Sequence, residues 1–144
     1  MRMRTIDYSP LGKAVQRLKE GLEALGRKPE NTLYRDAVIK RFELTYAQCA
    51  KMLERFLTNV ASLEPHKKLT FPALIRATSD RGVVRSGWDA WYQFREARSL
   101  TGHGYDEDIA RMIVEKVPSF AEEASFLYAE LEGRRLEPEK GSGV

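Results

Sequence analysis

Apolar residues return at helical spacing along most of the chain, and the first such run lies near its start. Ser9 and Pro10 predict the beginning of a helix, with Ser9 as the N-cap. Gly26 and Pro29 predict its end. Between them, steps of four and three residues place one set of side chains on a single helix face: Leu11, Val15, Leu18, Leu22 and Leu25.

A second, longer run predicts a helix of about six turns. Asn31 or Thr32 can cap its beginning, and its end is expected near Ser62, ahead of Pro65. The opposite face carries charges of both signs, as a face turned to solvent or to a partner would. The apolar stripe consists of Val38, Phe42, Thr45, Cys49, Met52 or Leu53, Phe56 and Val60.

Two shorter helices follow in the middle of the chain. Thr70 and Pro72 open the third, which Gly82 closes. The fourth is predicted from near Ser86 to Arg98 or Ser99. Its aromatic residues lie three and four positions apart, which favours a core or a subunit interface, although such rings also stack on bases. They are Trp88, Trp91, Tyr92 and Phe94.

The last helix is predicted to begin after a glycine-flanked break at residues 101–104. Asp106 is the expected N-cap, with acidic residues in the first turn behind it. Pro118 lies inside the helix and predicts a kink or an irregular turn. The apolar side carries Ile109, Met112, Ile113, Val117, Phe120, Ala124, Leu127 and Leu131.

Taken together, these patterns predict an all-α protein. Short connections between amphipathic helices are typical of an antiparallel bundle, here of four to five helices. Residues 1–133 form the one predicted domain, and residues 134–144 are expected to be a flexible C-terminal tail because they are polar and rich in glycine.

Composition narrows the classes of function. The chain of 144 residues carries a net charge of +3 and has one cysteine, Cys49, and two histidines, His66 and His103. One cysteine makes no internal disulfide, and so few Cys and His residues argue against a structural zinc site. We therefore expect no metal and no cofactor. The absence of a signal peptide and of a long apolar run predicts a cytoplasmic protein without a membrane contact.

Charge is unevenly distributed along the chain. Between His66 and Arg98 there are seven Lys or Arg residues against three acidic ones, whereas acidic residues gather around Asp106 and in the last helix. This middle stretch is compatible with binding a phosphate backbone or an acidic partner, and equally with a solvated helix surface.

The break before the last helix holds the best candidates for chemistry. His103 lies between two glycines, and imidazole exchanges a proton near neutral pH. Arg98 offers a planar fork of donors for phosphate oxygens, and the N-terminus of the last helix adds backbone N–H groups. These parts suit RNA cleavage without a metal. The alternative is structural: Arg98 satisfying helix carbonyls, the glycines forming a turn and Tyr105 packing in the core.

Two motifs resemble a known superfamily. The first motif consists of an arginine, a histidine five positions later and a tyrosine two positions after that. It is similar to the signature of HEPN proteins and comprises Arg98, His103 and Tyr105. Residues 35–46 (RDAVIKRFELTY), followed by Lys51, resemble the second helix of the nucleotidyltransferase substrate-binding proteins, a HEPN branch. That branch also has a Leu-Thr-x-His-x-Tyr-Asp-Glu run, which residues 100–107 match. The resemblance covers residues 11–131.

The resemblance implies a HEPN-like bundle that forms a homodimer and works beside a minimal nucleotidyltransferase. It implies that Arg98 and His103 are catalytic residues of a metal-independent ribonuclease toxin. The partner would then act as the antitoxin, by transferring AMP to Tyr105. An alternative is a non-catalytic substrate- or nucleotide-binding subunit of that enzyme, and a third is a purely structural module. Further substrate-binding roles, with RNA as the substrate, are assigned to Arg41, Arg95 and Thr101.

Overall fold

The computed structural model describes residues 6–59 and 69–135, and these residues are almost entirely helical. No strand occurs within them, which confirms the predicted all-α class. A single 3₁₀ turn, Thr101–His103, separates the last two helices. The five helices are α1 (Ser9–Arg27), α2 (Thr32–Asn59), α3 (Phe71–Asp80), α4 (Trp88–Ser99) and α5 (Glu107–Arg134).

Side-chain caps begin α2 and α3 as predicted. The Asn31 side chain accepts a hydrogen bond from the backbone N–H of Tyr34 at 2.9 Å. The Thr70 hydroxyl accepts one from the backbone N–H of Ala73 at 3.3 Å. Each cap satisfies a donor that the first helical turn leaves without a partner.

The start of α1 differs from the prediction. Ser9 is already the first helical residue, and its N–H donates to the Asp7 carboxylate at 2.9 Å. Tyr8 precedes the helix, and its carbonyl oxygen accepts hydrogen bonds from Leu11 and Gly12. Since the Tyr8 ring is buried in the core, packing of that ring, rather than a serine cap, sets where the helix begins.

Pro118 does not interrupt α5, so the predicted irregular turn is wrong. The helix continues through it to Arg134. Val117 and Phe120 on either side of the proline are completely buried. Proline removes one backbone hydrogen bond, and tight packing of the neighbouring turns against the bundle compensates for that loss.

Contacts along the helices define an up-down-up-down bundle. Arg41 and Thr45 of α2 donate to the carbonyls of Arg17 and Ala14 of α1, in reverse order along the chain, so these helices run in opposite directions. The end of α4 meets α2 at Glu43, and the ring of Trp91, earlier in α4, lies near that of Tyr46, later in α2. This order makes α2 and α4 antiparallel as well, and α3 packs against both of them.

Aromatic rings fill the centre of the bundle. Phe120 of α5 is at the middle of the cluster, with its ring centroid 4.9 Å from that of Phe42 and 5.4 Å from that of Phe94. Mostly edge-to-face pairs of this kind add to the free energy gained from burial. The cluster comprises Phe42, Tyr46, Phe71, Trp91, Phe94 and Phe120.

Some predictions fall on parts of the chain that the structure does not describe. The end of the second helix near Ser62, the loop residue His66 and the tail beyond residue 135 lie outside the described residues. Within the described ranges, no helix combines the length and the apolar character needed to cross a bilayer.

Candidate functional site

The connection between α4 and α5 is a compact turn tied by its own backbone. The N–H of His103 donates to the Leu100 carbonyl at 2.9 Å, and the N–H of Asp106 donates to the His103 carbonyl at 3.1 Å. A Cβ atom at Gly102 would meet nothing within 4 Å, and Gly104 has an ordinary helical backbone. The backbone bonds thus give the turn a defined shape, although its glycines predict a pliable loop.

Arg98 is held at one corner of its guanidinium. Its Nη1 donates to the Thr101 hydroxyl at 3.1 Å and lies 3.4 Å from Oε2 of Glu43. The Thr101 hydroxyl is also 3.1 Å from the same Glu43 oxygen. The Arg98 side chain keeps 39% of its surface exposed, so a ligand can reach the rest of the guanidinium.

Glu43 is the acidic centre of this network. Its Oε1 accepts from Lys40 at 2.9 Å, while Oε2 faces Thr101 and Arg98. The hydrogen bond from Lys40 lowers the pKa of Glu43, and Thr101 and Arg98 lower it further, against the opposing effect of partial burial. The carboxylate therefore stays ionised at neutral pH.

His103 and Tyr105 lie on the exposed side of the turn. Their ring centroids are 6.2 Å apart. The Tyr105 side chain is 84% exposed, so the alternative that it packs in the core is wrong. The His103 imidazole is therefore open to solvent, and the Tyr105 phenol is accessible to a modifying enzyme.

The N-terminus of α5 is not an open phosphate site. The Asp106 carboxylate accepts hydrogen bonds from the N–H groups of Asp108 at 2.9 Å and Ile109 at 3.1 Å, which confirms Asp106 as the N-cap. Glu107 and Asp108 add two more negative charges to the first turn. Because the cap already satisfies these donors and the turn is acidic, an incoming phosphate would be repelled there.

An ion pair joins the beginning of α5 to the beginning of α2. Arg35 donates to both carboxylate oxygens of Glu107, at 2.8 and 3.2 Å. The Arg35 side chain is largely buried and Glu107 is exposed. This bidentate contact fixes the end of the turn opposite to Arg98, so both ends of the turn are anchored on α2.

An open groove of about 390 Å³ lies between α2 and the turn. Arg98 does not line the groove but contacts two of its lining residues, Glu43 and Thr101, and His103 is not part of the lining. The groove is lined by Asp36, Ile39, Lys40, Glu43, Thr101, Gly102, Gly104 and Tyr105.

The structure brings together most, but not all, of the predicted site residues. Arg98, Thr101, His103 and Tyr105 share one end of the bundle, and Arg95 is exposed one turn earlier on α4. Arg41 does not join them. It donates to the Arg17 carbonyl of α1 at 2.7 Å, on the other flank of α2, and therefore has no geometric support as a substrate-binding residue.

Sequence reasoning missed the contribution of α2 to the groove. The segment 35–46, which carries the family resemblance, contains four of the groove residues: Asp36, Ile39, Lys40 and Glu43. In the sequence they belong to a helix surface of mixed charge, with no role of their own. The one available signal was that resemblance, because helical periodicity marks which residues face the core and not which polar residues meet another element.

Among the described residues, no group of three or more His, Cys, Asp or Glu side chains is arranged to hold a metal ion. Cys49 is buried in the α2 stripe, as its position predicts, and burial raises the pKa of its thiol far above the usual range.

Comparison with known proteins identifies the family. The model of the family described as nucleotidyltransferase substrate binding protein like matches residues 6–133. The chain belongs to this family. The match spans nearly all of the described residues, and it confirms the relationship indicated by segment 35–46 and by Arg98, His103 and Tyr105.

A curated relative extends the comparison. A Haemophilus influenzae protein named probable ribonuclease HepT is 28% identical over 97 residues, which make up 67% of this chain and 66% of that protein. The match thus covers just under two thirds of that relative's length.

Two solved structures share the architecture. The substrate-binding domain of a nucleotidyltransferase from Haemophilus influenzae superposes with a TM-score of 0.79 at 21% identity, over 88% of this chain and 99% of that one. A protein from Thermus thermophilus gives a TM-score of 0.68 at 28% identity, over 84% and 98% of the two chains. The helical bundle is therefore the fold of these solved proteins.

Proposed function

We propose that this protein is a HEPN-type ribonuclease that cleaves RNA without a metal ion, with Arg98 and His103 as its catalytic residues. The observation that carries the proposal is their placement: Arg98 lies in the last turn of α4 with a partly exposed guanidinium, and His103 ends the adjoining Thr101–His103 turn with an exposed imidazole. The name of the H. influenzae relative, probable ribonuclease HepT, supports the same activity.

The chemistry follows from these two groups. A neutral His103 takes the proton of a ribose 2′-hydroxyl, whose oxygen attacks the adjacent phosphorus. The bond from phosphorus to the 5′-oxygen breaks, and that oxygen receives a proton from a second, protonated imidazole. Arg98 stabilises the negative charge that builds up on the phosphoryl oxygens. The products are a 2′,3′-cyclic phosphate and a free 5′-hydroxyl.

A homodimer would supply the second imidazole. Leu33 and Leu44 on the outer face of α2 are 77% and 53% exposed, and they lie three turns apart on one side of the helix. Lys40, which lines the groove, lies between them on that side. Since exposed apolar surface of this kind favours association, pairing through this face would set two grooves side by side.

Regulation by a partner minimal nucleotidyltransferase completes the proposal of a toxin–antitoxin pair. The Tyr105 hydroxyl is accessible, and the ring lies 6.2 Å from that of His103. AMP attached to this oxygen would place a bulky anion beside the histidine and repel the RNA backbone. RNA would then be the substrate, and the nucleotidyltransferase the antitoxin.

One observation favours a second candidate function. The Glu43 carboxylate already lies 3.4 Å from Arg98 Nη1, so one amino group of the guanidinium is engaged within the protein. A protein that only presents a nucleotide or its own Tyr105 to the nucleotidyltransferase needs no free arginine. In this alternative the protein is a non-catalytic substrate-binding subunit.

Cleavage in EDTA separates the two candidates. Purified protein, shown by mass spectrometry to be unmodified at Tyr105, is incubated with labelled RNA beside His103→Ala and a matched control, His66→Ala. We expect wild type and the control to cleave, and His103→Ala to lose at least roughly a hundredfold in rate. Intact RNA in every reaction would instead favour the binding subunit, and AMP transfer to Tyr105 by the partner would then be the next measurement.

A further inference from the structure

Glu43 connects three parts of the candidate site. It belongs to α2, pairs with Arg98 of α4 and lies within hydrogen-bond distance of Thr101 in the turn. Its side chain is only 25% exposed. Arg98 and Thr101 are therefore both oriented against a carboxylate on a different helix.

The two oxygens of this carboxylate have separate tasks. Oε1 is bound by Lys40, which balances its charge from within α2. Oε2 faces the Thr101 hydroxyl at 3.1 Å and Arg98 Nη1 at 3.4 Å. The Thr101 hydroxyl in turn accepts from Nη1 at 3.1 Å, so arginine, threonine and glutamate form a closed triangle of contacts.

The triangle occupies one amino group of Arg98 and leaves the remaining donors available. Among the described residues, Nε and Nη2 of Arg98 make no hydrogen bond. The distance of 3.4 Å to Glu43 is longer than the 2.7–2.9 Å typical of a strong charge-assisted hydrogen bond. The contact thus orients the guanidinium without covering the edge that a phosphate would bind.

We propose that Glu43 is a positioning residue: through Thr101 and Nη1 it fixes Arg98 and the His103-bearing turn in one arrangement, with the free edge of the guanidinium turned to the RNA phosphate. This inference rests on the ribonuclease function proposed above. It assigns to α2 a part in the reaction that the Arg98 and His103 motif does not contain.

Removal of the Glu43 carboxylate is expected to make Arg98 and the turn less ordered, and not to weaken the binding of RNA. Without the carboxylate, Arg98 samples several rotamers, and the turn keeps its own backbone bonds and the Arg35–Glu107 contact at its other end. Small displacements of a catalytic group reduce rates strongly because the reacting geometry is reached less often. The ground-state affinity for RNA depends on many phosphate contacts and changes little.

The test compares Glu43→Gln with Glu54→Gln, a matched change on the exposed surface of α2. We expect Glu43→Gln to lower kcat roughly tenfold or more, with KM within about threefold and the melting temperature unchanged. Thr101→Val should lower kcat similarly, and the double variant should be no worse than either single one, because both remove the same arrangement.

A second measurement does not depend on cleavage. The Nε–Hε resonance of Arg98 in ¹⁵N spectra, assigned with Arg98→Lys, reports whether the guanidinium is ordered. We expect a sharp, dispersed resonance in wild type and in Glu54→Gln, and an averaged one in Glu43→Gln. An unchanged Arg98 resonance in Glu43→Gln would overturn the inference, whether or not the protein cleaves RNA.

Two further outcomes decide against the proposal. Faster cleavage by Glu43→Gln, or tighter binding of inorganic phosphate without loss of kcat, would show that the carboxylate blocks Arg98. Equal kinetics of Glu43→Gln and Glu54→Gln would show an ordinary surface glutamate. Should wild type not cleave RNA at all, the ribonuclease function fails, while the Arg98 resonance still decides whether Glu43 orders the guanidinium.

Discussion

Six aromatic rings fill the centre of the bundle, whereas the end that carries Arg98 is joined by hydrogen bonds and ion pairs. In the centre, the ring of Phe120 packs against four other rings. Burial raises the pKa of the neighbouring Tyr46 hydroxyl to about 12. At the end, Glu43, Arg98 and Thr101 are only partly buried, and the pKa of Glu43 is lowered instead.

The two regions should differ in how they respond to substitutions. The free energy gained from apolar packing does not depend on direction and grows with the buried area, so the main effect of the centre is to stabilise the fold. The polar end depends on distances and angles between a few atoms, and such contacts contribute little net stability when they are exposed to water. Substitutions in the centre should therefore change stability, and substitutions at the end should change activity.

The largest expected effect is the loss of Phe120. Phe120→Ala should lower the free energy of unfolding by about 3–5 kcal/mol, because it removes a completely buried ring and leaves a cavity. Urea denaturation measures this loss. The matched control is Phe126→Ala on the same helix, where a partly buried ring packs under Arg85 and the cost should be clearly smaller. Equal losses would show that the aromatic cluster is not the main source of stability.

A smaller effect on the free energy of unfolding is expected at acidic pH. Since the folded-state pKa of Glu43 lies below its ordinary value of 4.5, its ion pairs stabilise the fold fully above about pH 5. That stabilisation, under about 1 kcal/mol for a partly exposed pair, disappears as the pH falls through the lowered pKa. Glu43→Gln should therefore lose less stability than wild type between about pH 5 and 3.

Urea titrations at both pH values measure that difference, with Glu54→Gln as the reference. If Glu43→Gln and wild type lose stability in parallel, the contacts of Glu43 do not stabilise the folded state, and the polar end is even less important for stability than the comparison suggests.

The smallest expected effect on stability is at Tyr105. Tyr105→Phe should change the free energy of unfolding by less than about 0.5 kcal/mol, because the hydroxyl points to solvent and the ring is mostly exposed. The same change should abolish AMP transfer by the partner nucleotidyltransferase, measured as a gain of mass on the intact protein. A gain of mass on the Tyr105→Phe protein would show that another residue accepts the AMP.

Helical periodicity predicted the core well. The stripes of α1 and α2 are buried almost as expected, and Trp91 and Phe94 of α4 pack in the centre while Tyr92 remains exposed. Met112 is an exception, with 52% of its surface exposed. Ile113, its neighbour on α5, is completely buried, and Met112 lies about 100° away from it around the helix, on the side turned to solvent.

The site was predicted in part. Residues 98–105 are close in sequence, so their proximity at one end of the bundle could be expected from the chain alone. Arg41 was grouped with them, yet it differs from Glu43 by about 200° around α2 and faces α1 instead. Nothing in the sequence pattern distinguishes these two flanks, because both border the same apolar stripe.

The sequence by itself determined the helices, the buried stripes, the Asp106 cap and the family, because these depend on spacing and on residue type within short segments. Only the tertiary structure decided that Glu43 meets Thr101, 58 positions later in the chain, and that Arg41 faces α1 instead. Contacts of this kind arise when helices pack, since packing alone sets which polar flanks face one another.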